Sequence, residues 1–230
     1  MKILALDSTA KTSSVALLEN DELLGLFSAN IKNNHSETLL PMVKSLLDSL
    51  KLTNDDIDAY AVSEGPGSFT GVRIGVATIK GLAFGRNKPC VGVSTIEALY
   101  ENLSDYDGIV CPIMNARRGQ VYTGAFLNGE RFLDDCCMML DDLIPMLLEK
   151  GQTIRFNGDG YDLVLNKNIA NFRHTPELLR YQNAFSVGKV AYKKLINSEF
   201  TSDEALRVEY LRKAQAERER EERLGGQNNG

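Results

Sequence analysis

Short apolar runs separated by small polar turns open the chain. Ile3 to Leu6 is apolar and ends at Asp7-Ser8-Thr9, Ser14 to Leu18 resumes the run, and Glu22 to Ala29 alternates apolar with polar. Runs of this length and period predict strands, so the opening reads as a three-strand meander. The spacing then changes. Leu39, Leu40, Met42, Val43, Leu46, Leu47 and Leu50 fall on an arc of about 160° at 100° per residue. That predicts a helix over Glu37–Leu50, with Ser36 as N-cap and Pro41 distorting its first turn. The arc is wide for a helix burying one face, and the excess is either core or a second contact surface. Thr53 caps a short turn, and Ile57 to Val62 reads as a buried strand.

The stretch Ser63 to Gly75 is the centre around which the chain is organised. Gly65, Pro66 and Gly67 force a sharp turn after the strand. Val72, Val76, Ile79 and Ala83 then recur at helical spacing, predicting a helix over Thr70–Gly85 capped by Ser68 or Thr70. Such a turn aims several N–H groups at one point beside a helix N-terminus, which is a physical anion site. The competing reading is a structural strand-to-helix turn. Neither the P-loop lysine nor the dinucleotide glycine spacing is present. The second face of this helix carries Gly71, Gly75, Thr78 and Leu82 beside Ile74. Each glycine costs helix stability by up to about 1 kcal/mol against Ala. Close approach of another helix, from this chain or a partner, is the expected compensation; a partner is preferred.

The remaining pattern repeats the opening. Pro89 to Val93 is a strand, Ser94 or Thr95 caps a helix over Ile96–Leu103, and Ser104 to Gly108 is a polar hinge. Strands come next over Ile109–Met114, Gln120–Phe126 and from Arg131, joined by Asn115-Ala116-Arg117-Arg118-Gly119 and Leu127 to Glu130. Asp141 caps a helix to Glu149. Ile154 to Phe156 is a strand ending at Asn157-Gly158-Asp159-Gly160, and Asn183 caps a helix over Phe185–Ile196. Two lobes with one element order imply an internal duplication: residues 1–104 and 105–202, with 203–213 packing back on the first. Residues 214–230 alternate acids with bases and then turn polar, predicting a solvated, frayed tail.

Composition narrows the classes. An apolar fraction of 43% and a charged fraction of 25% are those of a soluble globular chain. A net charge of −5 argues against binding nucleic acid through a generally basic surface, and leaves room for a local patch. No apolar run is long enough for a bilayer and Asp7 interrupts the N-terminal run, so a cytoplasmic protein without membrane contact is expected. Cys90 and Cys111 stand in apolar runs, Cys136 and Cys137 are adjacent, and His35 and His174 are isolated. None of these is a metal-ligand spacing, and no metal is expected. Asp7, Ser8 and Thr9, with Gly65, Gly67 and Ser68, form a candidate anion or nucleotide site.

Leu4 to Thr9, His35-Ser36-Glu37 with Leu40-Pro41, Gly65 to Gly75, Val93-Ser94-Thr95 with Glu97-Ala98-Leu99, Asn115 to Tyr122, and Tyr210-Leu211-Arg212 together resemble the TsaB (YeaZ) family across residues 1–213. The resemblance implies an α/β fold of two duplicated lobes, actin/Hsp70/sugar-kinase-like (ribonuclease H-like). It implies a non-catalytic scaffold in making N6-threonylcarbamoyladenosine at position 37 of tRNAs reading ANN codons. Its partners would be the catalytic paralogue TsaD, the ATPase TsaE, a second copy of itself when TsaD is absent, and tRNA indirectly. ATP and magnesium would serve the complex, with no cofactor of its own. TsaD holds its metal through two histidines, and the matching positions here are Thr95 and Leu99. Leu99 has no donor atom and a lone Thr hydroxyl is a poor ligand. An Asp is common in the family where Asn115 stands. The expected partner surface comprises His35, Leu39, Leu40, Met42, Val43, Leu46, Gly71, Ile74, Gly75, Thr78 and Leu82. The alternative is an ATP-dependent phosphotransferase or hydrolase of the same fold. A glycoprotease-like peptidase, the older reading of the family, lacks an identifiable nucleophile–base pair.

Overall fold

The computed structural model describes residues 1–30 and 35–211. Asn33, Asn34, Arg212 and the charged tail therefore lie outside the described residues. β1 (Lys2–Asp7), β2 (Thr12–Glu19) and β3 (Glu22–Asn30) form the antiparallel meander. β4 (Ala59–Gly65) and β5 (Cys90–Ser94) join in parallel on the other side of β1, in the order β3-β2-β1-β4-β5. Parallel neighbours need crossovers, supplied by α1 (His35–Ser49) and α2 (Phe69–Ala83). β1 is buried on both faces. Leu4 and Leu6 point into the α1–α2 core, and Ile3 and Ala5 into the opposite one.

β6 (Ile109–Arg117), β7 (Gln120–Leu127), β8 (Glu130–Met139) and β9 (Ile154–Asn157) make a second sheet in the order β8-β7-β6-β9. α4 (Leu140–Leu148) and α5 (Asp162–Leu165) cover one face of it through Leu143, Leu147 and Val164. The order β3-β2-β1-β4 thus recurs, with a helix again between the third and fourth strands. α3 (Thr95–Glu101) sits between the lobes, where Ile96 and Leu99 meet Ala10, Met114 and Phe126.

One domain expectation is corrected. α6 (Ala184–Ile196) does not stay with the second lobe. Its Ala184, Val187, Val190 and Ala191 pack on Ile3, Ala5, Ala16 and Leu18 of the first sheet. That sheet face is too broad for α3 alone, which has seven residues. Gly188 permits the contact, because a Cβ there would overlap the Leu18 side chain. From Thr201, which bridges Cys90, the chain runs back across α2. Leu206 enters the first core, and Lys80 Nζ donates to the Glu204 and Leu206 carbonyls at 3.2 Å each.

Two caps also differ, and a third is resolved. α1 and α4 begin one residue before their expected caps, so Ser36 and Asp141 lie inside first turns instead of capping them. Of Ser94 and Thr95, Ser94 caps α3, accepting from Ile96 N at 3.1 Å and Glu97 N at 3.3 Å. Among the described residues, no helix is long and apolar enough to cross a membrane.

Candidate functional site

The turn after β4 places the first candidate site. Ser68 caps α2 by accepting from Gly71 N at 3.3 Å, while its own N–H donates to the Thr9 carbonyl at 2.7 Å. A Cβ on Gly67 would stand 2.6 Å from that carbonyl oxygen. Ser8 Oγ donates to the Gly71 carbonyl at 2.9 Å. A Cβ on Gly71 would overlap the Ser8 carbonyl oxygen, and one on Gly75 would lie 2.7 Å from Ser8 Oγ. The β1–β2 turn is therefore seated in the glycine turn and against the start of α2. Two N–H groups of the expected anion cradle are engaged by the chain itself, so an anion there has to displace them. The expectation that Gly71 and Gly75 bare a surface for another helix is corrected. Both are buried, and what approaches them is the chain's own Ser8.

Asp7, Ser8 and Thr9 are all buried. Asp7 Oδ1 accepts from Thr9 N and Thr9 Oγ1, each at 2.9 Å, and Oδ2 accepts from Ser63 Oγ at 2.5 Å. Burial pushes the Asp7 carboxyl above its usual range, with those hydrogen bonds and the nearby His35 opposing the rise. Across the cleft, Asp159 Oδ1 accepts from Asn115 N at 3.2 Å. Its carboxyl is likewise raised by burial, with that bond and Lys11 opposing. Between the lobes a cavity of about 70 Å³ is lined by Lys11, Thr12, Asn30, Asp159, Asp162 and Gln182. It has room for a few waters and falls far short of the roughly 300 Å³ at which ligand clefts begin. Both amide atoms of Gln182 are buried without a protein partner among the described residues. No pattern in the sequence marked that residue.

The positions matching the family's metal ligands are interior. Thr95 is fully buried and Leu99 belongs to the interlobe apolar cluster. Among the described residues, no group of three or more His, Cys, Asp or Glu side chains is placed to hold a metal ion. Each histidine has a partner that the sequence pattern did not reveal. His35 Nδ1 lies 2.5 Å from Ser13 Oγ, and His174 Nδ1 lies 3.2 Å from Tyr161 Oη. Ser13 is completely buried, which denies a substrate access to its hydroxyl. Burial pushes the Cys111 thiol up to about 12, so it stays protonated.

The second candidate site is the outer side of α1 and α2, which pack on one sheet face. They run the same way. His35 and Gly71, near their starts, contact Ser13 and Ser8, and Asn54 beyond α1 donates through Nδ2 to the Leu82 carbonyl at 2.8 Å. Leu39, Val43 and Leu46, expected at a partner surface, are instead core residues at 1%, 2% and 1% exposure. The wide apolar arc is thus mostly used to bury α1 between the sheet and α2. Leu40 points outward at 53% exposure, while His35, Met42, Ile74, Thr78 and Leu82 are half-buried. The Thr78 hydroxyl is satisfied by the Ile74 carbonyl at 2.8 Å. Phe84, at the end of α2, is 75% exposed and was missed. Its signal was a large aromatic out of phase with the buried stripe.

The family model for TsaD, tRNA N6-adenosine threonylcarbamoyltransferase, matches residues 23–219. The chain is 40% identical to a Bacillus subtilis tRNA threonylcarbamoyladenosine biosynthesis protein, TsaB, over 74% of this chain and 75% of that one. It is similar in structure to YeaZ from Pseudomonas aeruginosa, with a TM-score of 0.74 at 27% identity, covering 91% of this chain and 99% of that one. An activator of a 2-hydroxyisocaproyl-CoA dehydratase from Clostridium difficile, solved with ADPNP, matches with a TM-score of 0.52 at 9% identity over 91% of this chain and all of that one. That last likeness shows the fold alone, which is the actin/Hsp70/sugar-kinase-like one with two duplicated lobes.

Proposed function

The chain belongs to the TsaB family, and on that premise we propose that it serves the formation of N6-threonylcarbamoyladenosine in tRNA as a non-catalytic subunit docking TsaD. The observation that carries the docking is the apolar row on the parallel helix pair. Leu40 and Phe84 stand out at its two ends, with Ile74 and Leu82 between. Exposed Leu40 and Phe84 beside the half-buried Ile74 and Leu82 fit a protein partner. The same face accounts for a homodimer in the absence of TsaD, since one patch cannot serve both partners at once. TsaE joins the pair, and ATP and magnesium are used by the assembly in the cytoplasm.

The non-catalytic part rests on chemistry. Leu99 offers no ligand atom where the paralogue has histidine, and both Asp7 oxygens already accept protein hydrogen bonds. The test is reconstitution with TsaD, TsaE, tRNA, ATP and the threonylcarbamoyl donor, reading the modified nucleoside by mass spectrometry. Product is expected only when the chain and TsaD are both present. Modification by the chain alone, or undiminished modification without it, overturns the proposal.

A further inference from the structure

The hairpin joining β6 to β7 carries a feature that folding does not ask for. Arg117 pairs with Gln120, leaving Arg118-Gly119 as the turn. Arg117, Arg118 and Gly119 have φ of 65°, 54° and 76°, three successive residues in the left-handed region. Two-residue turns with positive φ at both centres favour Asn-Gly or Asp-Gly. This chain follows that preference elsewhere. Its hairpins after β2 and β7 use Asn20 and Asn128 at φ 59° and 48°, and Asn87 and Asn171 fill further left-handed positions, while Lys51 and Ser198 hold single ones just beyond α1 and α6. Arginine there carries a strain of about 1 kcal/mol or more per residue. The turn is anchored nonetheless, since Asn115 Oδ1 accepts from Arg117 N at 2.8 Å and Asn115 N donates to Asp159.

Both arginines are exposed, and among the described residues no ion pair or side-chain hydrogen bond engages either guanidinium. Most other arginines among the described residues are occupied, the exposed Arg173 being the exception. Arg73 bonds Tyr210, Arg86 pairs with Asp55, Arg131 with Asp135, and Arg155 and Arg180 bond backbone carbonyls. The neighbouring Asp159 is turned inward to Asn115 N, so it does not satisfy them. Lys11, across the cleft mouth, is a third exposed cation, and of the three it alone acts on Asp159. A chain of net charge −5 thus concentrates free positive charge at this turn.

We propose that Arg117 and Arg118 form a contact for the phosphodiester backbone of RNA. The inference rests on the reading of the chain as part of a tRNA-modifying assembly and adds a direct role to it. A guanidinium offers a planar fork of donors matched to phosphate oxygens and keeps its charge at any working pH. Phosphate contacts orient a nucleic acid without reading its sequence, which suits a subunit that holds tRNA against a catalytic partner.

The test uses the assembled chain–TsaD–TsaE complex with substrate tRNA and the double variant Arg117→Asn, Arg118→Asn. Asparagine accepts the left-handed backbone and removes both charges. The expected result is an unchanged complex mass, a thermal midpoint of the chain equal or higher, and weaker tRNA binding. The slope of log K against log salt becomes shallower by about 2, roughly 1 for each lost phosphate contact. Lysine at both positions restores most of the slope. Unchanged tRNA affinity and slope in the asparagine variant overturn the contact while leaving the family role intact. Loss of complex mass overturns it by assigning the arginines to a protein partner. A wild-type complex that binds no tRNA overturns the underlying reading as well.

Discussion

Ser8 and Gly71 are joined back to back: the Ser8 hydroxyl donates to the Gly71 carbonyl at 2.9 Å, and the Ser8 carbonyl occupies the space a Gly71 side chain would take. The glycine spacing of α2 is thereby explained by the fold of a single chain. Gly71→Ala drives a Cβ into backbone, which cannot move as a side-chain tip can. It should destabilise the isolated protein by about 1–3 kcal/mol or more. Gly81, in the same helix, has nothing within 4 Å of its notional Cβ, so Gly81→Ala should stabilise by about 1 kcal/mol. Urea midpoints of the two variants, taken without any partner, should move in opposite directions. Equal shifts would refute the Ser8 packing.

Glu64 gives the protein a pH dependence. Burial lifts its carboxyl from 4.5 to about 6; Lys194 opposes the rise, and Glu209 and Glu97 add to it. These groups face Glu64 from α6, the C-terminal segment and α3. Because the folded pKa lies above the unfolded one, the native state holds the extra proton across that window. The contribution of Glu64 to stability is therefore fully present below about 4.5 and is lost as pH rises through about 6. Glu64→Gln should flatten that decline and gain about 1–2 kcal/mol at pH 7. Denaturant unfolding of both proteins at pH 5 and pH 7 checks it, and parallel behaviour of the two at both pH values would count against the account.

The filled cleft turn predicts a negative calorimetric result. Titration of ATP with magnesium into the isolated chain should release no binding heat, because the Ser68 N–H is engaged by Thr9 and the interlobe cavity is about 70 Å³. A saturable heat of one nucleotide per chain would return the phosphotransferase reading.

Local chemistry was legible in the sequence, and the atoms standing opposite were not. Period-two runs and polar turns gave both meanders and their repetition, since strand alternation and turn residues are properties of a few neighbouring positions. The cost of glycine at 71 and 75 was visible too. Which atoms approach them was not, because spacing along a helix does not say what stands across from it. The same limit applies to Leu39, Val43 and Leu46. Their arc was readable, but only the position of α2 divides that arc into core and surface. α6 shows it at the level of lobes, for an apolar stripe does not name the sheet it will cover. The strain of the arginine turn was illegible for another reason. Its anomaly lies in backbone dihedrals, and Asn115 to Gly119 reads as an ordinary turn until those are known.

The most direct test of the docking surface is the mass of the chain mixed with TsaD, measured by light scattering for wild type and for Leu40→Asp with Phe84→Asp. Both side chains are largely exposed, so the double variant should keep its fold, shown by an unchanged thermal midpoint. The account predicts a heterodimer mass for the wild type and separate monomers for the variant at the same concentration. A variant that is folded and still gives the heterodimer mass with unchanged affinity would contradict it.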